Sequence, residues 1–146
     1  MNNDQRTMNL KNKYKSHFSR YKKAYNKMNG IDLTEELIQN KDQHQKELMI
    51  VRDSFAQMKN ELKNMMNALI QLQHILTQKE IDHLIDDPDL TDLDKMKTAY
   101  LLAEIQYLGL DFEMTGNQQS QIKLKRIMEH DAPELQEILQ NEIQHK

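Results

Sequence analysis

Nine apolar residues, Leu48, Val51, Phe55, Met58, Leu62, Met65, Leu69, Leu72 and Leu76, follow one another in alternating steps of three and four. That spacing is the a/d seam of a helix whose apolar stripe returns every 3.5 residues. Each seam residue contributes about 1.5–3 kcal/mol if buried, which makes this stretch the strongest local driving force in the chain. Lys59, Asn60, Glu61, Lys63 and Asn64 stand between seam positions and belong on a wetter side. The nine residues are expected to form a core or an oligomerisation surface.

The rest of the chain punctuates helices. Gly30, Pro88, Gly109, Gly116 and Pro133 are its only glycines and prolines, and all fall where helices are expected to end. No run alternates with the period of two that a half-buried strand needs. The fold class reads as all-α: a long heptad-patterned helix in a helical hairpin or coiled coil, followed by a bundle of shorter helices. Residues 1–76 are expected to make the hairpin. Residues 77–146 are expected to make an acidic bundle packed on the end of the long helix.

The first helix is expected from about Gln5 or Met8 to Met28, with Tyr14, Phe18, Tyr21, Tyr25 and Met28 as an inward stripe. Asn29-Gly30 suits a left-handed helix end, and Asp32 with Glu35 suits a capping box. From there one helix of about 45 residues, roughly 65 Å, can reach Leu76, although Lys41 and His44 occupy two of its seam slots. The tyrosine hydroxyls are expected to lie within reach of Lys41 or His44.

Thr77 and Glu80 predict a short helix to about Asp86, broken by Pro88. A third main helix is expected from about Asp92 to Leu108, ended by Gly109, with a loop through Gly116. A helix over about Gln118–Glu129 should bury Ile122, Ile127 and Met128. A last helix should open at Asp131-Ala132-Pro133-Glu134, with Leu135, Ile138, Leu139 and Ile143 on one face.

The formal net charge of −3 conceals a split. Through Gly30, eight basic residues face one acid, Asp4, a net of +7. From Glu80 to Glu113, ten acids face Lys95 and Lys97, a net of −8. Such asymmetry points to an interaction protein. Lys13, Arg20 and Lys27 repeat every seven residues and so form one line on the first helix. Lys15 and Lys22 lie on the other flank of the aromatic stripe, and Lys23 lies opposite it.

Catalytic and metal chemistry find no support in the residue patterns. With no cysteine there is no disulfide, thiolate site or thiol nucleophile. The six histidines form neither an i,i+4 pair nor an HExxH motif, and the four serines sit in no Gly-flanked elbow. The run Asp86-Asp87-Pro88-Asp89-Leu90-Thr91-Asp92 fails as a calcium loop, because Asp92 falls where glycine is needed and Thr98 where a bidentate Glu is needed. Its acids read as helix caps. No enzyme activity, metal, cofactor or small-molecule substrate is expected.

The N-terminus lacks the apolar core of a signal peptide, and no apolar run approaches the roughly 18 residues of a membrane span. A cytoplasmic protein, or one built into a particle assembled there, is expected. Scarce Ala with plentiful Lys, Asn, Gln and Ile suggests an AT-rich genome, and with it a phage or mobile element.

Two functional expectations follow. The first is a non-enzymatic helical assembly or adaptor protein whose seam binds a protein partner or a second copy. The alternative is a packaging- or regulator-type nucleic-acid-binding protein using residues 1–30, with Lys13, Lys15, Arg20, Lys22, Lys23 and Lys27 on phosphates. Gln118, Gln119, Gln121, Lys123 and Arg126, at a helix start, are weaker candidate contacts, because a Gly109–Gly116 connection is too long for a simple helix-turn-helix.

Overall fold

The computed structural model describes residues 3–31, 39, 40 and 42–130. The described helices are α1 (Asn3–Asn29), α2 (Gln45–Leu72), α3 (Gln78–Asp82), α4 (Leu93–Thr115) and α5 (Gln118–His130), with a 3₁₀ turn at Pro88–Leu90. No strand occurs among the described residues, and none of these helices is long and apolar enough to cross a membrane. The capping box at Asp32–Glu35, and the helix expected from Asp131, lie outside the described residues.

Helix α2 is the centre of the bundle because two neighbours share its seam. Leu48, Val51, Phe55, Met58, Leu62, Met65, Leu69 and Leu72 are all buried, and Leu76 beyond the helix end is half-buried. α1 runs antiparallel to α2: Leu10 lies beside Ala68, Arg20 beside Glu61, and Ala24 beside Val51 and Phe55. α4 also runs antiparallel to α2, along its length, with Met96 in the cluster of Leu69 and Leu72, Lys59 at Glu104 and Arg52 at Asp111. Ala68, beside the seam, thus serves α1, while the other side of the seam serves α4.

The expected 45-residue helix is interrupted. Asn40 and 42–44 form turns, in which the amides of Gln43 and His44 both donate to the Asn40 carbonyl. His44 stands in a seam slot, where a histidine supplies little apolar burial to hold a continuous helix; Lys41 lies outside the described residues. Tyr14 shares the core cluster of Leu62 and Leu69, and its hydroxyl donates to the Leu90 carbonyl rather than meeting His44; the expected Lys41 contact lies outside the described residues. Phe18 and Tyr21 are half-buried against the same core, and Tyr25 is 37% exposed.

Two glycines behave differently from expectation. Gly30 is not left-handed; its amide bonds the Asn26 carbonyl at 3.1 Å, a helical bond that carries α1 to its last turn. Gly109 does not end α4, since burial of Leu108 and Ile105 holds the helix through it. Gly116 ends it instead, at φ 69°, with its amide on the Phe112 carbonyl at 2.8 Å. Left-handed backbone costs any residue with a Cβ about 1–2 kcal/mol, so the glycine is required there.

The capping reading of the acidic connector fits the structure. Thr77 and Glu80 form a reciprocal capping box, and Asp92 accepts the amides of Asp94 and Lys95 at the start of α4. α3 stops at Asp82, short of Asp86. The His83 ring contacts the Lys79 carbonyl at 2.6 Å and takes the place of the backbone amide that would continue the helix. Ile122, expected in the core, is 50% exposed. The buried residue of α5 is Ser120, held by Asp111.

Candidate polyanion-binding face of the first helix

α1 is docked by Leu10, Tyr14 and Ala24, which turns its remaining surface outward. Asp4 in the first turn and Lys27 in the last match the helix dipole. On the outward surface Lys13, Lys15, Arg20, Lys23 and Lys27 are exposed, and Lys22 is half-buried with its ammonium 5.3 Å above the Tyr25 ring. No acid lies on α1 after Asp4. Among the described residues, Lys13, Lys15, Lys22, Lys23 and Lys27 make no ion pair.

The two flanks of this face differ. On one, the acidic connector lies against α1. Lys11, Lys79 and Glu80 line a shared groove, and Asp87 acts on both Tyr14 and Tyr21. Burial and then the nearby Asp87 carboxylate push the Tyr21 hydroxyl up to about 12, and the same two causes, with Asp82, push Tyr14 well above the ordinary phenol range. Glu80 is held below the usual carboxylate range, mainly by the Thr77 amide and hydroxyl, with Lys11 a smaller cause. Asp82, Asp86, Asp87 and Asp92 line a bowl of about 620 Å³ next to it.

The other flank opens onto α2. Lys13 and His17 from α1, with Asn64, Asn67, Ile70 and Gln71 from α2, line a surface groove of about 460 Å³ floored by Leu10 and Ala68. One acid sits near it, Glu61, which is 5% exposed and already occupied. Its Oε2 lies 2.5 Å from His17 Nδ1, and its Oε1 accepts Arg20 Nε at 3.2 Å.

A second cationic surface lies on α5, where Gln118, Gln119, Gln121, Lys123 and Arg126 are all exposed. The connection to α4 is only Gly116-Asn117, far shorter than expected, because α4 continues to Thr115. The corner is fixed by Asp111, which accepts from Ser120 Oγ at 2.6 Å, Asn117 Nδ2 at 3.1 Å and Arg52 Nη1 at 3.2 Å. Ile122 sits amid this surface and interrupts its polarity.

The structure therefore brings Lys13, Arg20 and Lys27 onto one flank and Lys15 and Lys22 onto the other, with Lys23 between. It buries the seam residues under α1 and α4. Sequence reasoning missed two periodic features on the helices that bound the groove, of which Asn64, Asn67 and Gln71 line it. Arg6 stands seven residues before Lys13 and extends that line. Gln57, Asn60, Asn64, Asn67 and Gln71 form an amide stripe on α2 at the same three–four spacing as the seam, offset to its wet side. Both signals were periodic and legible. The pairing of Glu61 with His17, across 44 residues, was not.

Comparison with known proteins adds no relative: no family model matches the chain, and neither a curated protein nor a solved structure does.

Proposed function

We propose that this chain is a non-catalytic helical binding module that engages nucleic acid through the outward face of α1. The observation that carries the reading is the row of α1 lysines that stand exposed or half-exposed without a partnered acid among the described residues, while most of the other buried or half-buried charges are paired. Phosphate contacts from such cations supply most non-specific affinity for DNA. The assembly reading rests on the seam and on the opposed charges of residues 1–30 and 80–113; of these, the seam is covered by the chain's own α1 and α4.

Deleting residues 1–30 would test this poorly, because Leu10, Tyr14 and Ala24 belong to the core. Charge removal on the intact chain tests it better. A variant carrying Gln at Lys13, Lys15, Lys22, Lys23 and Lys27 should keep its melting transition and lose at least tenfold in affinity for a labelled duplex, read by fluorescence anisotropy at about 50 mM salt. Equal binding by parent and variant, or none by the parent, removes the reading.

A protein–protein adaptor is the second reading, favoured by Ile70 and Ile75, which are 43% and 42% exposed near the end of α2. It predicts concentration-dependent association in light scattering that Ile70→Ser with Ile75→Ser abolishes.

A further inference from the structure

The structure assigns a side to the contact: we propose that one phosphate backbone of a nucleic-acid duplex runs along the groove between α1 and α2, not along the flank beside the acidic connector. This rests on the nucleic-acid reading above and specifies where it happens.

Three observations select the groove. The first is charge. A phosphate approaching Lys15 or Lys22 meets the field of Glu80, Asp82, Asp87 and Asp89, which the connector holds against that flank. A phosphate approaching Lys13 meets Asn64, Asn67 and Gln71. The one nearby carboxylate, Glu61, is buried and bonded to Arg20 and His17.

The second is spacing. Arg6, Lys13, Arg20 and Lys27 recur every seven residues, about 10.5 Å along a helix. A regular interval of that kind lets one strand meet a cation repeatedly along its path. The opposite wall, Gln57 to Gln71, repeats with the same heptad, and carboxamides are ordinary donors to phosphate oxygens. Cations and amides therefore repeat with one period on the two helices, and they meet in the groove at Lys13, Asn64, Asn67 and Gln71.

The third is the position of the aromatic rings. Single-stranded nucleic acid is held by bases stacked on exposed rings. Here Tyr14 is fully buried, and Tyr21 and Tyr25 stack on each other at 6.3 Å on the connector side, with Lys22 over Tyr25. Among the residues that line the groove the one ring is the His17 imidazole, held with Nδ1 2.5 Å from Glu61 Oε2. A backbone can be tracked there, while the groove offers bases no Tyr, Phe or Trp and only a half-buried imidazole already engaged by a carboxylate, which favours the duplex.

The test compares paired substitutions in the intact chain, each checked for an unchanged melting transition. Lys13→Gln with Lys27→Gln should lower duplex affinity about tenfold and flatten the salt dependence by about 0.9 per lost contact. Lys15→Gln with Lys22→Gln should change affinity less than threefold. Asn67→Asp with Gln71→Glu, which places acids in the amide wall without touching a lysine, should weaken binding at least as much as the first pair. An equal loss from the connector-side pair, or unchanged binding by the acidic-wall variant, overturns the groove while leaving duplex binding intact. Equal affinity for a single strand of the same length overturns the choice of duplex. Failure of the parent chain to bind any nucleic acid is a different result, and it removes the underlying reading.

Discussion

Glu61 Oε2 lies 2.5 Å from His17 Nδ1, and the same carboxylate takes Arg20 Nε at 3.2 Å, so one buried acid ties α1 to α2 and restrains one cation of the basic line. Glu61→Gln keeps the shape and removes the charge. Hydrogen bonds to charged groups contribute about 1.5–3 kcal/mol, so stability should fall by about 1–2 kcal/mol, discounted because Arg20 is half-exposed. Duplex affinity should rise, because Arg20 is no longer neutralised. A thermal melt and an anisotropy titration on one preparation check both signs; a fall in both would contradict the role given to Arg20.

The two glycines of α4 should respond in opposite directions. Gly109 lies inside the helix with nothing within 4 Å of an added Cβ, so Gly109→Ala should stabilise by about 0.5–1 kcal/mol. Gly116 sits at φ 69°, so Gly116→Ala should destabilise by about 1–2 kcal/mol. Chemical denaturation of the two variants reads the difference directly.

The corner between α4 and α5 depends on Asp111, which is 8% exposed and accepts from three side chains. Ser120→Ala removes the shortest of these bonds and should cost about 1.5–3 kcal/mol. Asp111→Ala should cost more, since it removes all three bonds and leaves Arg52 paired only with the exposed Asp53. Limited proteolysis should then cut near Gly116-Asn117 in the variants before it cuts the parent.

High pH should destabilise the fold through its tyrosines. Tyr14 and Tyr21 have folded-state values raised above the ordinary 10.0, Tyr21 to about 12. Their contribution is fully present below about pH 10. It falls as pH rises from about 10 towards those folded values, because the unfolded chain ionises first. Denaturant midpoints should be flat towards pH 10 and decline above it, and Tyr21→Phe should shrink the decline. A midpoint that rises above pH 10 would contradict the burial of these rings.

The seam from Leu48 to Leu72, the antiparallel hairpin and the caps at Thr77 and Asp92 were legible in the sequence because each depends on residues a few positions apart. The end of α4 was not. Gly109 and Gly116 are the same residue type, and the burial of Leu108 and Ile105 decided which one ends the helix. The break at Asn40–His44 was half-legible, since Lys41 and His44 already spoiled the seam. The basic line was read from its spacing. Its asymmetry was not, because the two flanks of α1 differ only through the connector and α2, which are distant in sequence.

The burial of the seam within one chain has its own check. Leu62 is fully buried between its neighbours, so Leu62→Lys should abolish the cooperative melt, since an unpaired buried charge costs several kcal/mol. A folded Leu62→Lys protein that merely loses mass in light scattering would mean that the seam serves a partner subunit.

The most direct test of the working surface is the salt dependence of duplex binding by the intact chain. If Arg6, Lys13, Lys23 and Lys27 supply about four phosphate contacts, log K should fall against log salt with a slope of about −3 to −4. Binding at about 50 mM salt with that slope is the predicted result. Absence of binding there, or an affinity that salt does not change, would contradict the account.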